Sequence, residues 1–94
     1  MERISDSSFT LGTYIAFRNL GNRWGGKDHK TNEYEVTEKH NVRATLGYIR
    51  WFARWRKYAF SPITNTVFEE TCLREIAQFV EEETQAHRAK TRKV

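Results

Sequence analysis

Tyr48 to Phe60, YIRWFARWRKYAF, holds six of the chain's 13 aromatic residues, four basic residues and no acid. Aromatic faces interleaved with guanidinium groups suit nucleobases, phosphates or an acidic protein surface. Arg50, Arg54, Arg56 and Lys57 are the candidate anion contacts. Trp51 and Trp55, with Trp24 from an upstream loop, are the candidate stacking or anchoring rings. The acid-free window is wider than the motif: it runs from Lys39 to Phe68 and carries six cations. The same residues also suit a plain core with a solvated outer face, because small domains depend on the large area each aromatic buries.

Other chemistry has weaker support. His29, His40 and His87 fall in two loops and a helix end, with no CxxC or HxxxH spacing, so no metal site is expected. Gly21 and Gly25-Gly26 with Lys27 lack the GK[ST] of a phosphate loop. Glu81, Glu82 and Glu83 are adjacent on a helix and point different ways, which is a solvated face and not an acid/base pair. Cys72 is a lone cysteine in a helical context with no histidine close in sequence, so it reads as a small buried hydrophobe. No Ser–His–Asp order stands out. The chain is therefore expected to bind and not to catalyse, with no cofactor.

The elements that must carry the motif follow from size and pattern. Ninety-four residues make one domain with a single modest core. The net charge of +4 is segregated: −1 over residues 1–38, +6 over 39–68, −5 over 69–83 and +4 over 84–94. A partner would meet local patches, not a uniformly basic body. There is no signal-like apolar run and no stretch of transmembrane length, so the expected setting is the cytoplasm with no membrane contact.

Residues 1–8 are polar and read as a flexible N-terminus. Phe9 to Leu20 alternates as one strand, with Leu11, Thr13, Ile15 and Phe17 on one face. Gly21 to Asn32 is a loop. Glu33 to Lys39 alternates as a half-exposed strand with Tyr34 and Val36 inward. Thr66-Val-Phe-Glu69 fits a capping box. The helix that follows carries an apolar stripe of Leu73, Ile76, Phe79 and Val80 and spans roughly 17–20 residues, ending near Arg88. Residues 89–94 are a basic tail. Val42 to Phe60 supports two readings. As a helix, Tyr48, Trp51, Phe52, Trp55 and Tyr58 make an apolar stripe. As a hairpin turning near Ala53, Ala44, Leu46 and Tyr48 share one face, with Ile49 and Trp51 on the other. In the hairpin, either Tyr48 and Phe52 or Ile49 and Trp51 lie on the face the helix does not cover.

Leu46 to Val80 resembles a family of small proteins encoded by phages, prophages and mobile elements. The shared pattern is Leu46-Gly47, Ile49, Trp51-Phe52, Trp55-Arg56, Tyr58, Phe60 and Pro62, then Thr66-Val67-Phe68, Cys72-Leu73, Ile76 and Phe79. It covers about a third of the chain. The resemblance implies a phage or mobile-element origin, a host-cell cytoplasmic setting and a hairpin over 42–60. The family has no assigned function. The expected fold is thus α+β: an antiparallel sheet of three or four strands on one C-terminal helix, within residues 9–88. Two partner classes are expected. One is a host or defence-system protein that the chain would block or adapt, by association with how small phage accessory proteins work. The other is a nucleic acid or nucleotide phosphate held by segment 48–60.

Overall fold

The computed structural model describes residues 2–3, 9–21 and 31–92. Among them the chain forms β1 (Glu2–Arg3), β2 (Phe9–Leu11), β3 (Ile15–Gly21), β4 (Glu33–Glu38), β5 (Asn41–Phe52), β6 (Lys57–Pro62) and α1 (Glu70–Arg92). The strands make one antiparallel meander in chain order, and α1 lies across one face. The architecture is α+β, and residues 42–60 are a hairpin. The sheet is larger than three or four strands: five of three residues or more, plus the two-residue edge β1, which pairs with Thr10 and Leu11.

The miscount arises at Gly12. Residues 9–20 are two strands, because the Gly12 N–H donates to the Ile15 carbonyl at 2.8 Å and closes a turn. A Cβ at Gly12 would collide with the Glu75 carboxylate, which accepts the Thr13 N–H at 2.7 Å. With glycine at position 12, the Glu75 carboxylate can close in on this turn without shifting. The turn also breaks the alternation. Ile15 and Phe17 face the helix, whereas Leu11 pairs with Ala16 on the other face. Register shifts at Val36, Thr37 and Glu38 add local twist to the sheet.

The core joins Ile15, Phe17, Tyr34, Val36, Ile49 and Tyr58 of the sheet to Ile76 and Phe79 of the helix. Phe79 stacks on Phe17 with centroids 4.1 Å apart and meets Tyr34 edge-on at 4.9 Å. Gly47 leaves no room for a Cβ, which would lie 2.5 Å from the Ser61 carbonyl oxygen and 2.7 Å from the Phe60 ring.

The helix differs from expectation in three respects. Its stripe is Ile76 and Phe79, flanked by half-buried Cys72 and Val80, and Leu73 is 49% exposed. The stripe continues through polar Glu83 and Thr84, whose bonds to the sheet replace apolar contact: the Tyr34 hydroxyl donates to Glu83 Oε1 at 2.7 Å. Burial, then the Glu83 carboxylate, push the Tyr34 hydroxyl well above the usual tyrosine range. The Thr66–Glu69 capping box does not form. The first helical residue is Glu70, so Glu69 is the cap and accepts the Cys72 N–H at 2.7 Å. Thr66 lies one turn too early and donates to the Ile63 carbonyl. Finally, α1 is 23 residues long and runs four residues past Arg88.

Candidate functional site

The β4–β5 ladder ends at Tyr34–Ile49, and Glu33, the first residue of β4, still reaches Arg50. The pairs Trp51–Tyr58 and Phe52–Lys57 continue beyond it. At about 3.4 Å per residue they carry the hairpin roughly 7 Å past its neighbour, as a finger. A four-residue turn, Ala53 to Arg56, closes the finger. The Phe52 carbonyl accepts the N–H groups of Trp55 at 3.1 Å and Arg56 at 2.9 Å. Arg56 has φ 56°, the left-handed region that costs a side-chain-bearing residue energy.

The helix braces the finger on one side. The Tyr58 N–H points away from β5 and donates to Thr84 Oγ1 at 3.0 Å, which satisfies a backbone group on an edge strand. Trp51 lies edge-on to Tyr58 at 5.5 Å and against the His87 ring at 4.5 Å. Arg88 Nη2 donates to the Arg56 carbonyl at 2.9 Å and holds the turn in place.

At the tip, Phe52 is 39% and Trp55 62% exposed, with their rings packed together at 4.6 Å. Arg54, Arg56 and Lys57 surround them, exposed and without an ion-pair partner among the described residues. Arg88 adds a fourth cation. The tip can insert an aromatic pair into a partner and pair guanidinium and ammonium groups with anions around it.

The seven sequence candidates therefore separate. Arg54, Trp55, Arg56 and Lys57 come together at the tip. Arg50 does not join them. It lies on the sheet face opposite the helix, bonded through Nε to the buried Glu33 carboxylate and stacked over Tyr48 at 5.3 Å. Trp51 faces the helix and is half-buried. Trp24 lies outside the described residues. Of the two hairpin alternatives, Tyr48 and Phe52 occupy the uncovered face. Phe52 and Arg88 are additional tip residues. Strand alternation pointed to Phe52, whereas nothing in the sequence links Arg88 to a turn 32 residues earlier.

Burial, then the Glu69 carboxylate, raise the Cys72 thiol above its ordinary value, which disfavours the thiolate. No metal-binding group of His, Cys, Asp and Glu occurs among the described residues. No described helix is long and apolar enough to cross a membrane.

No protein-family model matches the chain, and no solved structure matches it. A curated protein of Acholeplasma phage L2, described as an uncharacterized 9.3 kDa protein, is 40% identical over 58 residues. The match spans 62% of this chain and 70% of the phage protein.

Proposed function

The chain belongs to the family of the Acholeplasma phage L2 9.3 kDa protein, and on that premise we propose that it is a phage accessory protein that acts by binding. The hairpin finger is its contact, and the partner is an acidic protein surface of the host, including a defence protein, that the chain blocks or adapts. One observation carries this reading. The exposed aromatic pair and the cations around it are gathered on a single braced tip. Interfaces concentrate their energy in a few clustered residues, among which Trp, Tyr and Arg are enriched. The finger is preorganised by Thr84 and Arg88, so little order is lost on binding.

Nucleic acid is the weaker reading of the same tip. A duplex major groove about 12 Å wide admits a bare two-stranded ribbon. Here the helix accompanies the ribbon to its turn, and a strand layer plus a helix is about 20 Å thick. A single strand would need cations and stacking rings along a track. Arg50 is bonded to Glu33 and Trp51 is against the helix, so that track is short.

Capture from host lysate with nuclease treatment tests the reading. A stoichiometric protein should survive nuclease and be lost with Trp55→Ala and with the pair Arg54→Glu, Lys57→Glu. Material that disappears on nuclease treatment, together with micromolar oligonucleotide binding by the purified chain, would replace the protein partner with nucleic acid.

A further inference from the structure

The end of the finger carries a lysine on each of its two faces. Cross-strand partners share a face, so the pair Phe52–Lys57 puts Lys57 beside Phe52 on the face away from the helix. The pair Trp51–Tyr58 lies on the other face, against α1. There the helix runs toward the tip: Thr84 bonds Tyr58, His87 meets Trp51 and Arg88 bonds the carbonyl of Arg56. Lys90 follows His87 by three residues, on the same side of α1 and about 4.5 Å further along it. That step carries Lys90 beyond Trp51, toward the turn, and it is exposed there.

Neither lysine enters an ion pair among the described residues. No acid occurs in residues 53–68 or 84–92. One helical turn before Lys90 stand Ala86 and His87, so no carboxylate lies within reach on its own helix. Lys57 sits opposite Phe52, and the nearest charge on its face is another cation, Arg50. A partner laid flat against the uncovered face would pair with Lys57 and leave Lys90 on the far side of the two strands. One laid against the helix would do the reverse. A surface that receives the finger end-on meets both.

We propose, resting on the reading of the tip as a contact for an acidic host protein, that the partner's site is concave, with carboxylates on two opposing walls and an apolar floor between them. Trp55, 62% exposed in the turn, enters the floor. Lys57 pairs with one wall and Lys90 with the other. The two walls fix how the finger is rotated about its own axis, because Phe52 accompanies Lys57 on one side and the helix accompanies Lys90 on the other. A cleft lined by one sign of charge focuses its field, so such a site also draws the finger in.

The test follows association of the full chain with the nuclease-resistant protein it captures from host lysate, immobilised on a sensor surface, at low and high salt. Lys57→Glu and Lys90→Glu, each checked by its melt, should each slow association by roughly three- to tenfold at low salt and much less at high salt. The double variant should show the product of the two changes, because the lysines meet different walls. Lys90→Gln, which adds no acid to the helix end, should give a smaller change in the same direction. In the complex of the unaltered chain, acetic anhydride should spare both Lys57 and Lys90 and still acetylate Lys39 at the opposite end of the sheet. A chain that captures no such protein removes the acidic-partner reading and the two-walled site with it. A chain that binds, but whose Lys90 variants or whose Lys57 variant associate as fast as the parent, leaves that reading standing and overturns the two-walled site. Protection of only one of the two lysines overturns it as well.

Discussion

Two regions of the molecule are built from the same residue types and put them to opposite uses. On the uncovered sheet face, Arg18 lies over Phe9 and Arg50 over Tyr48. Each arginine also meets a carboxylate, Glu35 for Arg18 and Glu33 for Arg50, and Thr45 donates to Glu35 as well. At the finger tip, Phe52 and Trp55 again sit among arginines, but no described carboxylate reaches Arg54, Arg56 or Lys57. The difference is one of register. β4 carries Glu33 and Glu35 on the uncovered face and neutralises whatever β3 and β5 place beside it. The finger has outrun β4 and meets no acid among the described residues. Cations therefore serve the fold where the sheet is wide and become a surface where it narrows to two strands.

The comparison depends first on the helix, which braces the tip and leaves the opposite face untouched. Phe79 is 4% exposed and sits between Phe17 and Tyr34. Phe79→Ala should cost about 3–5 kcal/mol, a large share of the stability of a small domain. Urea unfolding measures it. A loss under about 1 kcal/mol would mean that α1 is not docked through this ring.

Next come two substitutions with crossed effects. Trp55→Ala should weaken partner binding by about 2 kcal/mol or more, the range of an aromatic anchor, while leaving the melt unchanged. Arg50→Ala should do the reverse. It strips a charged hydrogen bond from a carboxylate that is 3% exposed and should cost roughly 1–3 kcal/mol of stability, with binding retained in the folded fraction. Calorimetry on both variants settles whether the two regions are separable. If Arg50→Ala weakens binding as much as Trp55→Ala, the uncovered face belongs to the interface.

How much of this was legible in the sequence depends on the reach of each interaction. The helix was readable because Ile76, Phe79 and Val80 repeat at short range. The β4 strand was readable from the alternation of EYEV. Residues 42–60 satisfied helical and strand patterns alike, and only the family resemblance chose the hairpin. What was not legible was set across strands or between distant elements. Arg50 looked unpaired because its acid lies 17 residues upstream, outside the acid-free window. Trp51 and Trp55 looked equivalent, but strand alternation turns Trp51 onto the helix and the turn leaves Trp55 in water. The extra strand was hidden by the turn at Gly12, which is held in part by Glu75, 63 positions later in the chain. The cap was misassigned by one turn because Glu69 fits both roles and only the observed helix start distinguishes them.

The smallest expected effect is also the one that most sharply separates fold from function at the tip. Arg56 occupies a left-handed position that glycine would fill without strain. The contact that Arg56 makes with the helix is through its carbonyl, which glycine retains. Arg56→Gly therefore relieves backbone strain and keeps the brace, while glycine's greater freedom in the unfolded chain offsets part of the gain. A net stabilisation of about 0.5–1 kcal/mol is expected, visible as a rise of a few degrees in the melt. If the tip binds an acidic surface, the same variant should associate more slowly, and the deficit should shrink as salt is raised. A more stable protein that binds less well would mean that the arginine is kept at a cost to the fold, for its charge. A more stable protein with unchanged association at every salt concentration would make Arg56 a solvated turn residue and confine the contact to Trp55, Phe52 and the remaining cations.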